Sequence, residues 1–187
     1  MIIESGTGNG RFAKVNEENQ LVTDAVVNSR QHHVSHVHAK AFQVSTNVNI
    51  LASKQTIMSV TNDSAEDLVV TFIRIMSIGA AAASAAAFFT IEGGGEYTSG
   101  GAVLTPTNVN IGQQVVSSAN VYSGTTTIVD TNYTEIDRNY EANSMQSYNK
   151  DGSLVLTRGA SLIITHTGST AAGVAYTRLS FYMSESA

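Results

Sequence analysis

Apolar and polar positions alternate through residues 41–50, with Phe42, Val44, Thr46, Val48 and Ile50 on one face and Gln43, Ser45, Asn47 and Asn49 on the other. A period of two predicts a half-buried β-strand. The same period recurs at residues 174–183, where Ala175, Leu179, Phe181 and Met183 share a side. Residues 68–78 break the alternation. Val69, Val70, Thr71, Ile73, Ile75 and Ile78 form the longest β-branched and apolar run in the chain. Such a run suits a strand buried on both faces, in the middle of a sheet and not at its edge.

Shorter strands are predicted at residues 13–15, 21–27, 56–60, 88–91, 125–129, 154–156 and 161–165. Polar or glycine-bearing turns separate them, at 16–19, 61–67, 150–152 and 168–173. Residues 80–87 are a low-complexity alanine tract, either one or two helical turns or a loop of small side chains close to another surface. Residues 93–101 read as a glycine-rich excursion, and the polar stretch 130–149 as a long loop. Many short strands with glycine turns indicate an all-β sandwich or barrel.

Residues 68–91 are also long enough to span a bilayer, with Arg74 their single charge. Alanine contributes little to insertion, a central arginine costs roughly 2.5–3.5 kcal/mol, and no basic cluster or aromatic belt flanks the run. No membrane span is expected.

A length of 187 residues suits one domain. Only 13% of residues are charged and the net charge is −5, so the chain lacks a basic footprint for nucleic acid. It has no cysteine, which excludes disulfides and thiolate metal sites. The start, Met1 to Gly6, has neither a basic nor an apolar signal region, so no secretory signal is expected. A β-domain this uncharged fits burial in an assembly.

Candidate chemistry is sparse. His32, His33, His36 and His38 cluster, and on a strand His36 and His38 point to one face. That spacing holds a transition ion in some proteins. No metallopeptidase glutamate follows, and His166 is the sole distant histidine. The cluster therefore reads as a polar strand or arm at an interface, with no metal expected and His36 and His38 the candidates if one binds. The three glycines Gly6, Gly8 and Gly10 precede no helix signal, so they read as an arm and not as a phosphate loop. No nucleophile elbow is present. Glu66 with Asp67, and Glu135 with Asp137, are the carboxylate pairs a glycosidase would need, but both lie in polar, turn-like sequence. No enzyme activity and no cofactor are expected.

Residues 6–15 (Gly-Thr-Gly-Asn-Gly-Arg-Phe-Ala-Lys-Val) and 19–26 (Asn-Gln-Leu-Val-Thr-Asp-Ala-Val) are similar to the opening glycine arm and first strands of a group of virion proteins of tailed bacteriophages. Residues 60–63 (Val-Thr-Asn-Asp), 105–112 (Thr-Pro-Thr-Asn-Val-Asn-Ile-Gly) and 156–162 (Leu-Thr-Arg-Gly-Ala-Ser-Leu) resemble later pieces in the same order. The alanine tract and the histidine cluster depart from the pattern.

The resemblance implies an antiparallel, jelly-roll-like β-sandwich with an extended N-terminal arm, residues 1–12, before a single domain, 13–187. It further implies a capsid decoration or cement protein, a homotrimer that binds the major capsid protein on the virion surface after assembly in the host cytoplasm. Gly6, Gly8, Gly10, Arg11 and Phe12 are the expected capsid or subunit contacts. A head–tail connector or tail component is the alternative within the virion. A carbohydrate- or receptor-binding domain is the alternative outside that class, with Tyr122, Tyr133, Tyr140 and Tyr148 as its aromatic cluster.

Overall fold

The computed structural model describes residues 2–4, 12–15, 21–22, 39–78, 87–94, 100–112, 115–125, 132–140, 145–168 and 173–184. The chain forms two compact units, Met1–Arg30 and Gln31–Ala187. This division lies further along the chain than the one read from the glycines.

In the first unit, β1 (Ile2–Glu4), β2 (Phe12–Val15) and β3 (Leu21–Val22) form an antiparallel sheet in that order. Residues 2–4 of the expected arm are thus a paired strand, with Ile2 opposite Lys14 and Glu4 opposite Phe12. Gly6, Gly8, Gly10 and Arg11 lie outside the described residues.

The second unit holds β4 (Ala41–Asn49), β5 (Gln55–Asn62), β6 (Asp67–Ile78), β7 (Phe88–Gly94) and β8 (Ala102–Leu104). It continues with β9 (Thr107–Asn108), β10 (Ala119–Thr125), β11 (Tyr133–Tyr140), β12 (Met145–Leu156), β13 (Ser161–Thr167) and β14 (Val174–Ser184). One sheet runs β12-β6-β14-β4-β9, the other β11-β7-β13-β5-β10-β8. Every pairing is antiparallel. Without the excursion β8–β10, the remaining strands counted from β4 lie in the orders 6-3-8-1 and 5-4-7-2. This is the strand order of a jelly roll. The fold is all-β, a jelly-roll sandwich, as expected.

One hydrophobic cluster fills the space between the sheets. Phe42, Ile73, Ile75, Leu179 and Phe181 come from the five-stranded sheet, and Met58, Val60, Ile91, Leu162 and Ile164 from the six-stranded one. The alternation predicted for β4 and β14 is observed, with Phe42, Val44, Ala175, Leu179, Phe181 and Met183 all buried.

β6 is the interior strand expected, paired with β12 on one side and β14 on the other. Its first half is buried on both faces, whereas Phe72, Arg74 and Met76 are only half-buried. A bulge accounts for the change. Phe181 faces Val70 and Ser180 faces Phe72, so Thr71 has no partner of its own. Its Oγ1 instead donates to the Ser180 carbonyl at 3.1 Å. Among the described residues no helix is long and apolar enough to cross a membrane. Residues 80–86 of the alanine tract lie outside the described residues.

Three expectations are corrected. Residues 130–149 are not a long loop, because β11 and the beginning of β12 lie within them. β11 is a sheet edge with Thr134, Glu135, Ile136 and Arg138 exposed, so it shows no apolar period. β12 is the opposite kind of disguise. Its register slips between Asn149 and Leu154, so the residues read as a turn at 150–152 lie within one bulged strand. Gly93 and Gly94 belong to β7 and not to the excursion. Of the strand expected at 125–129, Thr125 closes β10 and residues 126–129 lie outside the described residues.

Candidate functional site

The residues that sequence singled out and the structure describes are spread over both sheets. His32, His33, His36 and His38 lie outside the described residues, and Phe12 is placed only as the first residue of β2. His166 is fully buried on β13, with its ring 4.9 Å from that of Phe89 and tilted by 59°. It is a core histidine. Among the described residues no group of three or more His, Cys, Asp or Glu is arranged to hold a metal ion.

The carboxylates have structural partners. Glu66 pairs with Lys40, Glu135 with Arg138 at 2.6 Å, Asp137 with Lys150 at 3.7 Å, and the buried Glu92 with Lys54 at 3.2 Å. The hydrogen bond from Arg138 holds the exposed Glu135 carboxyl below its ordinary value.

The tyrosines are split between sheets, with Tyr122, Tyr133 and Tyr140 on the six-stranded sheet and Tyr148 on the five-stranded one. Tyr148 packs against the core. Burial, then the Asp137 charge, push its phenol up from 10.0 to about 12. A raised folded value means stability fully present below the unfolded value of 10.0 and lost as pH rises through about 12. Denaturant titration between these limits should show a Tyr148→Phe variant losing less stability than the wild type. Parallel pH profiles would count against the assignment.

What the fold does bring together lies on the outer face of the five-stranded sheet. The pleat that sends Ile73, Ile75, Thr177 and Leu179 inward sends Phe72, Arg74, Met76, Tyr176 and Arg178 outward. Register places Arg74 directly opposite Arg178, with Ser147 and Ser45 completing the row. The next row is Met145, Met76, Tyr176 and Asn47. Like charges directly opposed on a sheet destabilise it.

No carboxylate stands on either row. The Arg178 Nη2 donates to the Gln43 amide oxygen, and the Arg74 guanidinium lies 5.2 Å above the Phe72 ring. The Arg74 Nε is buried and has no acceptor. Between the rows lies a hollow of about 400 Å3 lined by Ser45, Asn47, Arg74, Met76, Tyr176 and Arg178.

A second surface is the excursion β8–β10. Val103, Ile111 and Val116 are 74%, 96% and 75% exposed, and Val109 and Val115 are exposed as well. The excursion is nevertheless well anchored. β8 pairs with β10 in one sheet and β9 with β4 in the other. The Asn108 amide donates to the carbonyls of Ala39 and Val115, its Oδ1 accepts from the Asn110 N–H at 2.8 Å, and the Val109 N–H donates to the Ala41 carbonyl at 2.9 Å. Aliphatic side chains are thus held out into solvent by ordered backbone.

No family model, curated protein or solved structure matches this chain.

Neither surface was legible as a site in the sequence. Arg74 registered only as one charge in an apolar run, and its outward phase becomes readable once the Thr71 bulge is placed. Pairing with Arg178 depends on strand order. For the excursion a signal was present: Val103, Val109, Ile111, Val115 and Val116 sit among Thr, Asn, Gly and Gln with no sustained period. Aliphatic residues without a period have no face to bury.

Proposed function

We propose that this chain is a structural, non-catalytic subunit of a tailed-bacteriophage virion, a decoration or cement protein that stabilises the capsid by binding neighbouring capsid subunits, itself as a homotrimer. The single observation that carries this reading is the anchored excursion with its exposed aliphatic side chains. Exposed apolar side chains held on an anchored segment supply surface for protein contact. The jelly-roll sandwich, the low charge and the resemblance in residues 6–15, 105–112 and 156–162 support the same reading. The excursion is the part of the subunit assigned to the contact, because its described strands are already paired and little entropy is lost in docking them.

A double variant, Ile111→Asp with Val116→Asp, tests it. Both side chains are largely exposed, so the melting curve should stay within about 0.5 kcal/mol of the wild type. Cosedimentation with expanded phage capsids should fall about tenfold or more, since two desolvated charges replace apolar contacts. Undiminished cosedimentation would refute the excursion's role. Binding to tail tubes in place of capsids would move the protein to the neck or tail.

A further inference from the structure

We propose that the hollow on the outer face of the five-stranded sheet binds an acidic sugar, a uronic or sialic acid, by its carboxylate. The site lies on the sheet face and not on the excursion, so it goes beyond the capsid-docking role.

The argument starts from the arginine pair. Arg74 and Arg178 are opposite one another in register, and no acidic side chain stands on their rows among the described residues. Like charges placed directly opposite on one face of a sheet destabilise it, and an anion bound beside them offsets that repulsion. The buried, acceptor-less Nε of Arg74 points to the same requirement, since a donor shielded from water is costly to leave unmade. A planar carboxylate suits these groups, because the guanidinium fork presents parallel N–H donors to its two oxygens.

The remaining lining selects among anions. Tyr176, 38% exposed, and Met76 form an apolar wall beside the charged end. Such a wall fits the C–H face of a sugar ring, whereas inorganic phosphate would leave it uncovered. Ser45 and Asn47 stand on the β4 side of the same rows and supply a hydroxyl and an amide for ring hydroxyls. About 400 Å3 lies within the range of small-ligand pockets and leaves room for a monosaccharide.

The hollow is a local positive spot on a chain of net charge −5, so binding depends on close contact and weakens as salt rises.

The test titrates the full chain with N-acetylneuraminic acid, glucuronic acid, glucose and inorganic phosphate, read by ligand-observed NMR and thermal shift. Both acids are expected to bind, glucose not at all, and phosphate more weakly than either acid. Arg178→Gln should weaken the acids about tenfold or more with an unchanged circular dichroism spectrum, and Arg178→Lys should recover part of the loss. Tyr176→Ala should weaken the acidic sugars and leave phosphate unaffected.

Equal binding of glucose and glucuronic acid would overturn the carboxylate assignment. Phosphate binding as tightly as the acids, with Tyr176→Ala silent, would reduce the hollow to a bare oxyanion site and overturn the sugar. No binding of either acid to the wild type would overturn the proposal whole. Ile111→Asp with Val116→Asp should leave acid binding intact, which separates this site from capsid docking.

Discussion

Replacing Asn62 by alanine is expected to lower unfolding free energy by roughly 3 kcal/mol, the sum expected when several buried polar groups lose their partners. Asn62 closes β5 and is fully buried. Its Nδ2 donates to the carbonyls of Glu66 and Leu156, both at 2.8 Å, and its Oδ1 accepts from the Ser64 N–H at 3.0 Å. Its backbone N–H donates to the Ala160 carbonyl and its carbonyl accepts from the Gly159 N–H. One residue therefore ties the β5–β6 turn to the end of β12 and to the turn before β13.

Alanine keeps the backbone bonds and strands the Leu156 carbonyl, which has no route to water there. For a chain this long the melting temperature should drop by roughly 10 °C. Asn62→Asp discriminates the mechanism. It preserves size but sets carboxylate oxygens against two carbonyls, so it should be at least as damaging as alanine. A stable Asp variant would sink the donor argument.

Phe181→Ala is the second large effect, with an expected cost of about 3–5 kcal/mol for a cavity at a fully buried aromatic. Phe181 lies on β14, opposite Phe42 of β4 and Val70 of β6, and is 1% exposed. Its ring centroid is 5.6 Å from that of Phe42, inclined at 33°. Phe181→Leu keeps most of the volume and should cost less than about 1.5 kcal/mol. A double-mutant cycle with Phe42→Ala should return a coupling of about 0.5–1.5 kcal/mol, from the ring contact and the shared cavity. Full additivity in guanidinium titrations would show that the rings do not interact.

The strands that bury a face were readable from pattern alone. Phe42 to Ile50, Leu68 to Ile78 and Ala175 to Met183 announced themselves because each meets the core with a regular set of side chains. The strands that escaped are those whose partners set their conformation. β11 has polar residues at most positions and is held by backbone pairing to β7, and β12 carries its turn-like Lys150, Asp151 and Gly152 inside a bulge. Strand order was beyond pattern. Neighbours such as Arg74 and Arg178 come from distant parts of the chain, and only packing of both sheets decides which strands meet. The arginine hollow was hidden for that reason.

The position of β14 also governs how the chain is made. It is made after both of its partners, yet it lies between β6 and β4, each completed long before. At ordinary ribosomal rates of about 5–20 residues per second, roughly ten seconds separate β4 from its partner. Throughout that interval β4 and β6 each offer an unfilled edge to any neighbouring nascent chain. The sheet closes only once β14 has emerged, so its yield in a cell depends on what shields those two edges during translation.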